Sequence, residues 1–192
     1  QNAFNIHNQH SYFGLNQYDI KQNSYYSNLI FNSIIDNTMN KFATGLNFTY
    51  DKYQEFVNVN DYSRIDNSVG AFFEYTYDNG DDFSVILGGR IDNHNRLGTF
   101  VTPRLHMRYN PWDKGVLRFS AGRGKRSANI FAENQPLFAS SRTFEILNSN
   151  GKIYGLNPEI AWNYGLSFSQ KFSFLGKSAD VGFDLYRTDF QN

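Results

Sequence analysis

Five basic side chains carry the most chemistry in this sequence: Arg90, Arg104, His106, Arg108 and Arg118. All stand at even-numbered positions of stretches in which apolar residues occupy the odd positions. A pleated backbone puts such positions on one face. Guanidinium groups lining a narrow cavity focus a positive field and grip carboxylates or phosphates in a fork. The chemistry expected of them is attraction of an anionic ligand. A second reading is that they pair with carboxylates from other strands.

Other motifs do less. Gly122-Arg-Gly-Lys-Arg-Ser127 has a serine where a dinucleotide loop needs its third glycine, and no strand–helix–strand unit surrounds it. Gly176-Lys-Ser178 lacks the glycine a phosphate loop carries five positions earlier, where Lys171 stands, and reads as a hairpin turn. The four histidines form no His-x-x-x-His pair, and cysteine is absent, so no metal centre is expected. Asp81-Asp82 has too few partners for a calcium loop. With no Gly-x-Ser-x-Gly either, no catalytic residue and no cofactor are expected.

The elements that position the basic residues are strands. Tyr25, Leu29, Phe31 and Ile35 share one parity over 24–35, as do Phe42, Leu46, Phe48 and Tyr50 over 41–53. The same alternation returns in Val69–Tyr77, Phe83–Ile91, Val101–Tyr109, Leu117–Ala121, Ile160–Phe172 and Val181–Leu185. Residues 11–19 suggest one more strand, while 1–10 show no pattern. Pro103 removes a backbone donor, so a local bulge or bend is expected there. Short connections fall near 36–40, 78–82 (with the Asn79-Gly80 hairpin signal), 110–115 and 174–179. Long ones fall near 54–67, 92–98 and 125–157. The pattern predicts an all-β, antiparallel up-and-down fold of about eight or nine strands, roughly 9–14 residues each, with short turns at one end and loops at the other.

Composition points the same way. Aromatics make up 18 % and charged residues only 19 %, and 18 basic residues balance 18 acidic ones. That balance supplies no field for nucleic acid. Aromatic rings favour pleated surfaces and membrane interfaces. Tyr50, Tyr77, Tyr109, Trp112, Trp162, Phe172 and Phe174 stand near strand ends, where girdle residues belong. No apolar run nears the ~20 residues of a membrane helix, but in a membrane barrel only alternate residues meet lipid. Bulky apolar residues opposite Ser, Asn, Gly and Arg suit lipid outside and a polar lumen within. A secreted β-sandwich adhesin or carbohydrate-binding module shows the same alternation with its apolar face buried.

The stretch from Leu117 to Glu133 resembles a segment of the barrel of TonB-dependent outer-membrane receptors. Gly122, Gly124, Arg126 and Glu133 match the family's Gly-x-Gly-Phe-Arg-x-Pro-type segment and its following acidic residue. Lys125 replaces the usual aromatic and Ala128 the common proline. Thr102–Tyr109 and Leu156–Gly165 resemble barrel segments of bacteroidete members. The resemblance implies part of a transmembrane β-barrel in the outer membrane of a Gram-negative bacterium. Such barrels have about 22 strands around a plug, and 192 residues hold neither in full, so the chain is expected to be a barrel segment without its plug. Its open edges would not survive in lipid alone. The implied function is TonB-coupled active uptake of a scarce ligand: a small molecule, siderophore, glycan or peptide. The implied partners are outer-membrane lipid, the TonB complex acting through the N-terminal part, and a surface lipoprotein or secretion partner. On this resemblance the basic residues of the second reading would face carboxylates of the plug. A passive porin-like channel is the alternative in the same membrane.

Overall fold

The computed structural model describes residues 1–140, 146 and 151–191. One antiparallel sheet dominates. Its strands are β1 (Asn2–Phe13), β2 (Asn16–Ile35), β3 (Asn37–Val57), β4 (Asn60–Asp61), β5 (Arg64–Asp78), β6 (Phe83–His94), β7 (Gly98–Tyr109), β8 (Gly115–Arg126), β9 (Glu159–Phe174) and β10 (Lys177–Phe190). Apart from the two-residue β4, which pairs only with β3, each strand pairs with the next one along the chain. The sheet is open, with β1 and β10 at its edges.

The pairing registers put every odd apolar position of β5–β8 on one face, together with even positions of β3 and β9 and odd positions of β10. Rows such as Leu29–Leu46–Ala71–Ile91–Val101 cross five strands. These side chains are uncovered: Leu29 is 68 % exposed, Leu46 56 % and Leu185 60 %. A β-sandwich would cover such a face with a second sheet; among the described residues none lies on it. The aromatic residues expected as girdle members, Trp112 in its turn excepted, share this outer parity. Those of β5, β7 and the C-terminal part of β9 gather toward the short turns.

Strand length departs from expectation where it matters. β2 and β3 have 20 and 21 residues, and at ~3.3 Å per residue each is about twice what a membrane crossing of ~9–11 tilted residues needs. The segment near 54–67 is therefore mostly strand, turned by Asn58 (φ 54°). The segment near 92–98 is a short turn between β6 and β7. Only 127–158 is a long connection, and its described residues include two four-residue helices, α1 (Ile130–Glu133) and α2 (Gln135–Phe138), and a short 3₁₀ turn (Ile153–Gly155). Where β2 and β3 extend past the apolar belt, their pattern changes phase. Gln17, Asp19, Lys21 and Asn23 face outward, while Tyr18 and Ile20 turn inward. Val57, Phe131, Phe138, Ile153 and Tyr154 join those two in a buried cluster. Alternation that serves lipid below serves a small water-excluding core above.

The opposite end is built from tight turns. Asp36 alone separates β2 from β3, with φ 61° and a register shift beside it. Asn79 accepts from the backbone N–H of Asp81 and Phe83, and Gly80 takes φ 78°. Leu175 and Gly176 both have positive φ, the geometry of a two-residue hairpin loop whose twist matches its strands. Pro103 produces no bulge: it pairs with Gly89 in an unbroken β6–β7 register. Instead the β7–β8 ladder ends next to it, at Arg104 and Gly122.

Candidate functional site on the inner wall

The inner face carries the polar parity, and all five basic residues singled out in the sequence lie on it. It does not gather them into one patch. Arg90 sits high on β6, its guanidinium closed on Asp92 through Nε–Oδ2 at 2.8 Å and Nη2–Oδ1 at 2.7 Å. Arg104 reaches across Gly88 to the carboxylate of Glu74, two strands away. A Cβ at Gly88 would stand 3.1 Å from Arg104 Cγ, so the missing side chain is what lets the arginine cross. Arg104 is thus charge-paired across strands and Arg90 within its own strand.

His106, Arg108 and Arg118 do come together. They line a cavity of about 330 Å³ with Ser120, Ser167 and Tyr186. Arg108 and Arg118 are direct cross-strand partners, an arrangement in which like charges repel. Arg108 donates to Asn110 Oδ1 at 3.2 Å. No ion pair among the described residues involves either arginine. The cavity lies toward the short turns.

The Gly-x-Gly-x-Arg stretch roots the long loop. Arg126 holds Glu133 (Nη1–Oε1, 3.1 Å) and Glu159 (Nη2–Oε2, 2.8 Å), tying the end of β8 to α1 and to the start of β9. Asn129 caps α1 by accepting from the Ala132 N–H at 3.1 Å.

A second charged centre escaped the sequence reading. Glu55 is completely buried. It accepts from Tyr18 Oη (2.8 Å), Tyr154 Oη (2.6 Å) and Arg64 Nη1 (2.5 Å). Arg64 also pairs with Asp66 at 3.1 Å, Arg96 takes the other Asp66 oxygen at 2.9 Å, and the Arg64 guanidinium lies 4.1 Å from the Tyr53 ring centroid. This group lies above the apolar belt. Burial, then the Glu55 carboxylate against the opposing pull of Arg64, pushes the Tyr154 phenol well above the usual tyrosine range. Burial and Asp51 push Tyr53 up to about 12. Both stay neutral at ordinary pH, and Tyr154 keeps the proton that it donates to Glu55. The centre latches the long loop, through Tyr154, onto the β2–β3 extension. Its one sequence signal is that Tyr53, Glu55 and Val57 continue the inner parity of β3.

A single strongly charged wall, an exposed apolar belt and neighbour-to-neighbour strand order are what a membrane barrel requires. The family model described as TonB dependent receptor-like, beta-barrel, matches residues 1–192. The chain belongs to the TonB-dependent receptor β-barrel family. The siderophore receptor PirA from Pseudomonas aeruginosa superposes with a TM-score of 0.67 at 16 % identity, covering 98 % of this chain and 38 % of PirA. The ferric enterobactin receptor PfeA from the same species gives 0.63 at 15 % identity, covering 92 % and 27 %. The copper transporter OprC gives 0.58 at 14 % identity, covering 82 % and 29 %. At such identities the likeness is one of fold, and the chain spans well under half the length of each. No curated protein sequence matches the chain. Within this family, the face carrying Leu29, Leu46 and Leu185 is the lipid face and the face carrying the arginines is the lumen.

Proposed function

We propose that this chain is a segment of the barrel domain of an outer-membrane receptor that takes up a scarce ligand by TonB-coupled active transport. Membership of the family supports this, as do the siderophore and copper transporters among proteins of the same fold. The observation that carries it is the two-faced sheet: an uncovered apolar belt opposite a wall with an uncompensated arginine pair. An open edge in hydrocarbon leaves backbone groups unsatisfied, so β1 and β10 pair with further strands of the same barrel. The TonB complex acts through the N-terminal part of the receptor. Assignment to the bacteroidete branch rests on the Thr102–Tyr109 and Leu156–Gly165 segments.

His106, Arg108 and Arg118 form the part of the wall best suited to an anionic cargo or to carboxylates of the plug. In the full-length receptor, Arg108→Ala with Arg118→Ala separates the two. Normal assembly with lost uptake assigns them to cargo, and failed assembly assigns them to the plug. Removing TonB from the same cells tests the transport reading itself: uptake must stop. Uptake that continues without TonB makes the protein a porin-like channel.

A further inference from the structure

Above the arginine pair, the wall has a second cavity, of about 460 Å³, where β7 and β8 part. Beyond Arg104 and Gly122 no ladder joins these strands. Side chains span the gap: Arg123 Nη1 donates to Val101 O at 3.3 Å, and Lys125 Nζ to Leu97 O at 3.3 Å. Both cations turn onto the Phe100 ring, each 4.7 Å from its centroid. Lys125 stands at an outward position of β8, yet through this gap its ammonium lines the inner cavity. It is half-buried, and no ion pair among the described residues includes it. An ammonium has three N–H bonds; one goes to Leu97, leaving two.

The other lining groups define what those bonds would meet. Arg90 and Asp92 neutralise each other, so Lys125 leaves the cavity with one net positive charge. His94 accepts the backbone N–H of Arg96 and Leu97 at Nδ1 (3.2 and 3.3 Å), which puts the proton of the neutral ring on Nε2 as a donor. Ser68, Thr102 and Ser127 add hydroxyls. One cation, one imidazole N–H and three hydroxyls match a sugar unit that sets one carboxylate on the cation among several hydroxyl groups. The volume falls within the range of small-molecule sites and exceeds what a four-carbon hydroxy acid fills.

We infer that Lys125, His94 and the hydroxyls around them form a binding site for an acidic sugar, with the carboxylate on Lys125. The inference rests on the transport reading and names the chemical class of its cargo. Its test is titration calorimetry on the detergent-extracted full-length receptor, with digalacturonate, neutral lactose and tartrate as probes. Digalacturonate binds, lactose does not, and tartrate binds more weakly. K125Q, which can still donate to Leu97 O, weakens digalacturonate binding by about tenfold or more, as loss of a charge-assisted contact requires. K125R restores most of it. Three results overturn the inference: no digalacturonate binding, lactose or tartrate binding as tightly, or K125Q binding like wild type. A receptor that resides in the outer membrane and depends on TonB, yet ignores digalacturonate, overturns this site and leaves the transport reading standing.

Discussion

The Glu55 latch yields the sharpest prediction, because its groups are buried and its geometry is explicit. Glu55 is fully buried and Arg64 is 9 % exposed at the side chain. Glu55→Gln keeps the shape, removes the charge and leaves Arg64 with Asp66 alone. Breaking one side of a buried ion pair costs about 3–5 kcal/mol. The retained amide still accepts from a tyrosine, so the low end, about 3 kcal/mol, is expected. At ~1.4 kcal/mol per factor of ten, the population with the 127–158 loop released rises roughly a hundredfold. Tyr154→Phe removes one hydrogen bond to a carboxylate and costs about 1.5–2 kcal/mol, or roughly ten- to thirtyfold. Limited proteolysis of the full-length receptor in membranes reads this, since cleavage tracks the open population when reclosing is fast. Cuts within 127–158 accelerate in the order wild type, Tyr154→Phe, Glu55→Gln, while the barrel keeps its heat-resistant mobility. Cleavage of Glu55→Gln within about threefold of wild type, against the hundredfold expected from its buried pair, would show that the aromatic cluster holds the loop without the carboxylate.

Other expectations follow from single contacts. Leu87→Arg, on the outer parity of β6 and 49 % exposed, costs about 2–4 kcal/mol if it lies near the bilayer midplane, measured by urea unfolding in liposomes. Gly124→Ala, whose added Cβ meets nothing within 4 Å, leaves assembly unchanged in the same assay. Gly88→Val drives Arg104 off Glu74; as the arginine is 55 % exposed, the loss stays within about 1 kcal/mol. Arg126→Ala frees the root of the long loop and speeds proteolysis there, and at about 1 M salt, where screening weakens the native pairs, the difference from wild type narrows.

The strands within the belt were legible because lipid on one side and polar groups on the other force strict alternation. Val69–Tyr77 and Phe83–Ile91 sit where the pattern puts them, and the even parity of Arg90, Arg104, His106, Arg108 and Arg118 translates into one face. Above the belt both faces of an extended strand meet polar surroundings or a small local core, and the pattern weakens or inverts. That is why β1 showed no pattern, with Asn5, His7 and Gln9 on one side and Asn8 and His10 on the other. It is also why residues 11–19 suggested one strand when Gly14, at φ 66°, turns the chain between two. Shared parity, moreover, says nothing of distance along the wall. Arg90 and Arg118 share a face, yet cross-strand register puts one near Asp92 and the other beside Arg108. Glu55, Arg64 and Tyr154 are brought together from three segments, and no spacing in the sequence marks that meeting.

If one face of the sheet meets lipid and the other a polar lumen, neighbouring positions of one strand differ sharply in what reaches them. This chain has no cysteine; with any cysteine elsewhere in the full-length receptor replaced by serine, single cysteines carrying a nitroxide can be walked along β6 in bilayers. Collision with dissolved oxygen reports lipid, and collision with a water-soluble nickel chelate reports water. The expected pattern has a period of two, with oxygen dominating at Val85, Leu87 and Ile91 and falling away at Ile86, Gly88 and Arg90. Absence of that period, or chelate access at Val85 and Leu87 equal to that at Gly88, would rule out a lipid face opposite a lumen face.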